Sequence, residues 1–512
     1  MRQVSDDSAP LLLGIDLGTT AVKCAVYRAD GTALASASSE YDLLTPGDMV
    51  VEVAAETYWR AVRDAVGDVM RSVNHTESIE AIGFSCQGET LLPVDANNQP
   101  LHKAIVWLDG RAEAEAEELS DRFGSHFYEV TGQTSMVPTW PAAKVLWLLR
   151  HEPEVVERAA KMLLLEDYVV ARMTGEYVCE GSLLTSTGYW DFRRKDWWPE
   201  MLDAVGLRAE QLPRLVEPGS SVGALLPEVA AELGLSPSTV VCTGALDQAC
   251  GTIGVGNVQP GIFSENTGAA VAICATLPEA MLDPERRMPC HYHGLPDTYM
   301  LHSFTGGGVV LQWYRDEFCG AEREIARNSD RSAYELMDLQ AAAVAPGAEG
   351  LVVVPHLQGA MAPEADSRAR GALVGLTLRH GKRHVARAVL ESIAYVIRHN
   401  VEVIETLGVA VDSIRALGGG ARSPIWKQIE ADVTGRPVTV TTQTDAATLG
   451  ACILAALARK WYWNAAEAVD AMVSVERTFE PNPETSAVYD DAYASYRAAV
   501  NALRPFFGRE RP

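Results

Sequence analysis

The segment Asp16-Leu17-Gly18-Thr19-Thr20 combines residue types that can bind phosphate and a divalent cation. Glycine lets backbone N–H groups approach phosphate oxygens, threonine hydroxyls can donate to them, and a carboxylate at a strand end can hold Mg²⁺, usually through water. Lys23 follows shortly after this turn. The segment is not a P-loop, because the chain contains no G-x-x-x-x-G-K-[ST]. Taken alone, such a turn is more often the bend of a structural hairpin.

Three further glycine-rich turns favour the phosphate interpretation. They are Asn266-Thr267-Gly268, the TGGG segment at 305–308 and the LGGGAR segment at 417–422, which precedes a helix expected to begin near Trp426. Glycines where a strand meets a helix let the backbone approach a phosphate or a flat base. Each turn alone could serve packing, but the four together indicate a nucleotide site.

The elements that carry these turns repeat along the chain. Alternating apolar segments predict strands over 11–16, 21–27 and 32–38, then a helix over 56–69 and a buried strand over 79–85. A second strand, Thr-Gly turn and strand occupy 263–276, which suggests a duplicated α/β unit with the ligand between its halves. Apolar spacing predicts long helices around 385–396 and 489–503, the second ending before Pro505.

Composition limits the function. The chain has 512 residues, 47% of them hydrophobic, which is enough for two or three domains. Its net charge of −25 and the lack of a Lys/Arg run argue against nucleic acid and anionic membranes as partners. We expect a cytoplasmic protein, because no apolar stretch is long enough for a membrane span or a signal core. The nine scattered cysteines indicate a reducing compartment, and the segment Cys290-His291-Tyr292-His293 lacks further ligands at metal-binding spacing.

Longer motifs resemble the FGGY carbohydrate kinases, which share a superfamily with actin, hexokinase and the heat-shock chaperone ATPases. GIDLGTTAVK resembles the first phosphate hairpin of that family, WPAAKVLWLLRH (140–151) and GALVGLTLRHGKRHVARAVLE (371–391) resemble its two signatures, and 416–438 resembles its adenosine-binding segment. The resemblance covers nearly the whole chain. It implies an α/β fold of two ribonuclease-H-like domains, 1–254 and 255–512, with the active site in the cleft between them. ATP, Mg²⁺ and a small sugar are the implied ligands, and a homodimer is compatible with the family.

The resemblance also implies residue roles. It makes Asp247, in Gly244-Ala245-Leu246-Asp247-Gln248, the general base, because a carboxylate of ordinary pKa can take the proton of a hydroxyl as that hydroxyl attacks the γ-phosphorus. Asp247 could instead cap the following helix. Asp16 and Asp247 are the expected metal ligands. The expected nucleotide contacts are Gly18, Thr19, Thr20, Lys23, Thr267, Gly268, Gly307, Gly308, Gln312, Gly419, Gly420 and Ser423.

The substrate is expected at two segments, 83–95 and 104–111. Gln87-Gly88-Glu89-Thr90 is similar to the Gln-Arg-Glu-Thr of glycerol kinases, with a glycine that leaves room for a longer substrate. The expected substrate contacts are Gln87, Gly88, Glu89, Trp107, Asp109, Asp247 and Gln248. Trp107 could equally be a core residue, and Asp109 could form a local ion pair with Arg111.

A ketopentose such as xylulose is therefore the first substrate we expect, and a short polyol such as glycerol or erythritol is the second. Two other functions are weaker. A chaperone-like ATPase would need a peptide-binding domain, for which the chain has no spare length, and a non-catalytic sugar sensor would be expected to have lost the base.

Overall fold

The computed structural model describes residues 9–73, 78–443 and 445–507. The strands before residue 247 are β1 (Leu11–Leu17), β2 (Ala21–Arg28), β3 (Ala33–Glu40), β4 (Leu44–Gly47), β5 (Val50–Val53), β6 (Ile79–Cys86), β7 (Leu91–Val94), β8 (Ala104–Ile105), β9 (Lys161–Leu164), β10 (Val178–Glu180), β11 (Trp190–Asp191), β12 (Asp196–Trp197), β13 (Arg214–Val216), β14 (Ser221–Ala224), β15 (Val240–Cys242) and β16 (Ala245–Leu246). The later strands are β17 (Gly261–Thr267), β18 (Ala270–Leu277), β19 (Cys290–Tyr292), β20 (Tyr299–Gly306), β21 (Val352–Val354), β22 (Ala372–Val374), β23 (Val411–Gly418), β24 (Val438–Thr441) and β25 (Val475–Phe479).

Helices alternate with these strands. The first half contains α1 (Ala55–Arg71), α2 (Glu113–Thr131), α3 (Pro141–His151), α4 (Pro153–Arg158), α5 (Leu165–Thr174), α6 (Gly181–Leu184), α7 (Pro199–Val205), α8 (Pro227–Leu233) and α9 (Asp247–Gly254). The second half contains α10 (Gly308–Phe318), α11 (Gly320–Arg327), α12 (Ala333–Ala342), α13 (Lys382–Thr406), α14 (Pro424–Thr434), α15 (Ala446–Ala458), α16 (Ala465–Met472) and α17 (Pro483–Phe507). Short 3₁₀ turns occupy 209–211, 348–350 and 419–422.

Two central sheets share one topology. The first has the order β14-β15-β6-β1-β2-β3, and the second has the order β19-β20-β18-β17-β23-β24-β25. In each sheet a hairpin (β1–β2 or β17–β18) extends antiparallel to a third strand, while its first strand pairs in parallel with a later strand (β6 or β23). The duplication that the sequence predicts is therefore present as two sheets of equivalent order.

The predicted elements of the first half are close to the observed ones. The strands expected at 11–16, 21–27, 32–38 and 79–85 are β1, β2, β3 and β6, and the helix expected at 56–69 is α1. One prediction is wrong: α17 continues past Pro505 to Phe507. Because Pro505 lies in the last turn, its missing N–H removes only one helix-closing hydrogen bond. The domain boundary at 254/255 stays a prediction.

Two helices, one from each half of the chain, pack against each other. α15 packs on α9 and on strands β1 and β6 of the first sheet. Glycines make this approach close: a Cβ at Gly83 would lie 2.1 Å from Ala451 O, and a Cβ at Gly450 would lie 1.9 Å from Cys250 O. The backbone of α15 therefore contacts the backbones of β6 and α9 directly. Through this contact, the second half of the chain packs on the first sheet.

A smaller five-stranded sheet, β4-β5-β8-β7-β9, lies within the first half and carries the predicted sugar motifs on its connections. A separate apolar cluster, which includes residues of α2, α3 and α7, packs beside it. In the part of the chain that the structure describes, no helix is both long and apolar enough to cross a bilayer.

Candidate active site

The first phosphate hairpin is formed by the turn between β1 and β2. Gly18 N donates to Ala21 O at 3.1 Å, which closes the turn and leaves Thr19 and Thr20 at its tip. Asp16 lies just before the turn, and its Oδ1 accepts a hydrogen bond from Ser85 Oγ at 2.7 Å. Burial, followed by the charge of Asp445, raises the pKa of Asp16 to about 6. The half-exposed Lys23 lies 4.0 Å from Asp16 and 3.9 Å from Asp445, so that it faces both carboxylates.

Asp247 is the first residue of α9, directly after β16, and its Oδ1 accepts a hydrogen bond from Gln248 N at 2.7 Å. Burial, followed by the charges of Asp16 and Glu89, raises the pKa of Asp247 to about 7, while the hydrogen bond from Gln248 N and the charge of Lys23 oppose the rise. The prediction from the sequence that Asp247 has an ordinary pKa is therefore wrong. A carboxyl group with a pKa near neutrality is a stronger proton acceptor than an ordinary aspartate.

The first predicted sugar segment, 83–95, connects β6 to β7 and is hydrogen-bonded to the strand that leads into the phosphate hairpin. Gln87 N donates to Leu17 O at 3.0 Å. Glu89 has φ +54°, a left-handed backbone conformation that non-glycine residues seldom adopt. Burial raises the pKa of its carboxyl group. A strained backbone at a candidate ligand contact is typical of functional sites.

Lys144 holds this segment in place and was not identified from the sequence. It is fully buried on α3, and its Nζ donates to Glu89 O and Val106 O, both at 2.9 Å. The lysine therefore fixes the strained turn at Glu89 against the segment that carries Trp107. Burial lowers the pKa of Lys144 to about 7. A single lysine inside the apolar run of 140–151 is the sequence signal that could have revealed it.

In the second predicted sugar segment, 104–111, Trp107 and Asp109 have different surroundings. Trp107 is partly buried against the main core, and its Nε1 donates to Thr19 Oγ1 at 2.9 Å, which links this segment to the phosphate hairpin. The Asp109 carboxylate is fully buried and accepts four hydrogen bonds, three from Arg111 and one from Val51 N. Those bonds use its acceptor capacity. The structure thus favours the local ion pair over a substrate contact for Asp109.

A cavity of about 620 Å³ lies at the carboxyl ends of β17 and β23 in the second half. It brings together most of the predicted nucleotide contacts of this half, namely Thr267, Gly268, Gly308, Gln312, Gly419, Gly420 and Ser423. Gly307 is not among its lining residues. A Cβ at Gly307 would lie 2.5 Å from Val271 Cγ2, so that this glycine is required for packing against β18.

A buried ion cluster lies next to Thr267, one of the residues that line the cavity. Lys427 Nζ lies 2.6 Å from both Glu265 Oε1 and Glu430 Oε1, and all three side chains are completely buried. Thr267 donates its hydroxyl to Glu265. The cluster joins β17 to α14 and so fixes the hydroxyl of Thr267 at the edge of the cavity. α14 begins where expected, since Ser423 Oγ accepts from Trp426 N at 3.2 Å and Pro424 occupies its first turn.

Other residues at the two sites carried no sequence signal. Asp338 on α12 lines the cavity, and burial raises the pKa of its carboxyl group to about 6. Asp445 caps α15 and faces Lys23. Both residues reach their sites through tertiary contacts.

The segment 290–293 forms β19 and the residue that follows it, and joins the two halves. Cys290 N donates to Gly132 O at 2.9 Å, and Tyr292 N donates to Thr185 Oγ1 at 3.0 Å. Across residues 9–73, 78–443 and 445–507 there is no cluster of three or more His, Cys, Asp or Glu side chains suited to a metal ion. The nine cysteines are buried and free.

The chain has two equivalent sheets, each with a phosphate-type hairpin, and the carboxylate of Asp247 lies near both the first hairpin and the polar segment at 83–95. These features are those of a carbohydrate kinase built from two ribonuclease-H-like halves. Residues 11–254 match the N-terminal domain, and residues 271–459 the C-terminal domain, of the FGGY family of carbohydrate kinases. The chain belongs to this family.

Relatives with different substrates are similarly close. The xylulose kinase of Bacillus subtilis is 30% identical over 95% of this chain and 96% of its own length. The gluconokinase of the same organism is 31% identical over 86% of each chain. The ligand-bound crystal structure of xylulose kinase from Lactobacillus acidophilus superposes with a TM-score of 0.88, at 28% identity, over 98% of this chain and 99% of that one. Overall similarity therefore identifies a sugar kinase and leaves the sugar to be argued from the site.

Proposed function

We propose that this protein transfers the γ-phosphoryl group of ATP to a terminal hydroxyl of a small, neutral polyhydroxy substrate, with a ketopentose such as xylulose as the first candidate. The observation that carries this proposal is the position of Asp247. It lies close enough to Asp16 of the phosphate hairpin and to Glu89 of the sugar segment for both charges to raise its pKa. A base in that position can serve a hydroxyl held by one segment while phosphate is held by the other.

In the proposed reaction, Asp247 accepts the proton of the substrate hydroxyl as its oxygen attacks the γ-phosphorus. The bond between that phosphorus and the bridging oxygen breaks, and ADP leaves with the electron pair. The hairpin at 18–20 binds phosphate oxygens, while the cavity bounded by α12 and α14, which Thr267 also lines, takes the adenosine. The first half thus holds the sugar and the phosphates, and the second half holds the adenosine of ATP.

Asp16 and Asp247 would hold Mg²⁺. Asp16 is buried, Asp247 is partly buried, and the carboxyl group of each has a raised pKa, which is the electrostatic situation that a bound cation relieves. Magnesium commonly uses one or two carboxylates together with waters and the phosphates of the nucleotide. When bound, the ion neutralises charge on the β- and γ-phosphates.

The charge around the base favours a neutral acceptor. Among the described residues, the charges named for the pKa shift of Asp247 are the acidic Asp16 and Glu89 and the basic Lys23. An aldonate would bring a further carboxylate to this region, whereas ketoses and polyols bring only hydroxyls. A short polyol is the second candidate, because Gln87, Glu89 and Thr90 are similar to the glycerol-kinase motif. A homodimer and a cytoplasmic location stay predictions.

A release assay for ADP across ketopentoses, short polyols and aldonates tests the proposal. We expect the highest kcat/KM for a ketopentose, and ADP formation that depends on both sugar and Mg²⁺. The Asp247→Asn variant, measured beside the wild type, shows how much of the signal comes from this site. A preference for aldonates would contradict the charge argument, and a preference for glycerol would select the second candidate.

A further inference from the structure

Two buried polar atoms beside Gly88 lack partners. In the described part of the chain, neither Gln87 Oε1 nor Ser186 Oγ makes a hydrogen bond, although each residue is only 3% exposed. Buried polar atoms normally have a partner, and those that lack one require an explanation. Gln87 belongs to the predicted sugar segment at 83–95, whereas Ser186 lies outside both predicted sugar segments.

Ser186 is the middle residue of a run of three hydroxyl residues, and its neighbours are bonded within the protein. Thr185 Oγ1 donates to Gly181 O at 2.9 Å and accepts from Tyr292 N at 3.0 Å. Thr187 Oγ1 donates to Leu184 O at 2.6 Å. The flanking threonines thus fix the backbone, and the hydroxyl between them stays available to a ligand.

The Ser186 hydroxyl faces the sugar segment. A Cβ placed on Gly88 would lie 3.5 Å from Ser186 Oγ and 3.1 Å from Leu246 Cδ1. The hydroxyl also acts toward the Glu89 carboxyl group as a weak donor that lowers its pKa, although the two groups do not reach the geometry of a formed hydrogen bond. A side chain at position 88 would therefore project between Ser186 and Leu246. The lack of a side chain at Gly88 therefore does more than make space for a longer substrate. It leaves the hydroxyl of Ser186 accessible to that substrate.

We propose that Ser186 is a specificity residue whose hydroxyl binds one hydroxyl of the sugar, while Gln87 Oε1 accepts a hydrogen bond from another. The ligand class is a neutral polyol or ketose with at least two hydroxyls beyond the one that is phosphorylated. This inference rests on the proposed function and deepens it at the sugar site. It requires no change at the nucleotide cavity.

The test compares the wild type with Ser186→Ala on the best substrate and on a set of its deoxy analogues, each lacking one hydroxyl. We expect kcat/KM for the parent sugar to fall roughly 3- to 30-fold in the variant, as the loss of one hydrogen bond implies. For the analogue that lacks the hydroxyl bound by Ser186, wild type and variant should be equally active. ADP binding, measured by calorimetry, should be unchanged.

Ser392→Ala is the matched control, because Ser392 is also fully buried but its hydroxyl donates to Val389 O within α13. It should leave kcat/KM unaltered. Equal kcat/KM for wild type and Ser186→Ala on the parent sugar would overturn the inference. An equal loss of kcat/KM on every analogue would also overturn the inference, since Ser186 would then act through Glu89 and not on one sugar hydroxyl.

Sugar binding without nucleotide separates this inference from the proposed function. If the wild type binds a sugar but releases no ADP, the kinase proposal fails, and weaker sugar binding by Ser186→Ala still supports the inference. If the wild type neither binds nor phosphorylates any ketopentose or polyol, both proposals are overturned.

Discussion

Replacing Asp247 by asparagine is expected to lower kcat by about 10²-fold or more, the usual effect of losing a general base. The structure indicates that the change is nearly isosteric. Asp247 Oδ1 accepts from Gln248 N at 2.7 Å, and the amide oxygen of asparagine can keep that hydrogen bond at the start of α9. The helix should therefore form normally, and the loss should be chemical, with the sugar KM changing much less than kcat.

The raised pKa of Asp247 gives the same prediction a pH signature. The group must be ionised to accept a proton, and kcat/KM reports the free enzyme, before Mg²⁺ binds with the nucleotide, so a pKa of about 7 leaves roughly one tenth of it active at pH 6. We expect the wild-type kcat/KM to fall about tenfold per pH unit on the acid side of neutrality and to level off above it. With the ordinary value of 3.8, the rate would be flat from pH 5 to 8. The residual activity of Asp247→Asn should lack this acid limb.

The assay quenches the reaction at each pH and quantifies ADP directly, so that no coupling enzyme contributes its own pH dependence. Circular dichroism and thermal unfolding of the variant confirm that it is folded. Near-normal turnover by a folded Asp247→Asn protein would make Asp247 a structural cap. A flat wild-type profile with an inactive variant would keep the base but refute the electrostatic account of its pKa.

Three other perturbations test neighbouring parts of the site. Glu89→Ala removes a charged acceptor whose hydrogen bonds are worth roughly 1.5–3 kcal/mol, so kcat/KM should fall about 10- to 100-fold on every accepted sugar in steady-state assays, and unchanged values would exclude a substrate contact. Lys427→Met leaves Glu265 and Glu430 buried without their cation, and urea unfolding should show a loss of about 3–5 kcal/mol. The half-exposed Lys103, replaced in the same way, should cost less than about 1 kcal/mol, and equal losses would refute the buried-cluster argument. Finally, sugar together with a non-hydrolysable ATP analogue should reduce the radius of gyration in small-angle scattering, whereas identical curves would indicate a preformed site.

The parts of the fold that depend on neighbouring residues were predictable from the sequence. The hairpins β1–β2 and β17–β18 are indicated by short strands around a Gly-Thr turn and a Thr-Gly turn, and the start of α14 follows from Ser423 and Pro424. The Asp109–Arg111 pair was also foreseeable, since the two residues are only two positions apart. In each case the deciding contact is local.

The remainder depends on contacts that no local pattern encodes. Lys144 bonds to carbonyls 38 and 55 positions away, which only the folded chain brings to it. The pKa of Asp247 is set by burial and by Asp16, far along the chain. Gly307 has the local appearance of a phosphate contact, yet its lack of a Cβ is required for close packing against Val271.

The contact between α9 and α15 also bears on how the cleft can close. α9 begins with Asp247, and α15 follows Asp445, which faces Lys23 and the phosphate hairpin. Because a Cβ at Gly254 would lie only 1.9 Å from Ala446 O, the two helices have almost no space in which to slide past each other. We therefore expect any closure to pivot near this contact and to leave the base fixed relative to Asp16. The larger displacement should then occur at the cavity that Thr267 lines. This movement would bring the nucleotide toward Asp247 and the sugar segment, whose positions relative to each other would not change.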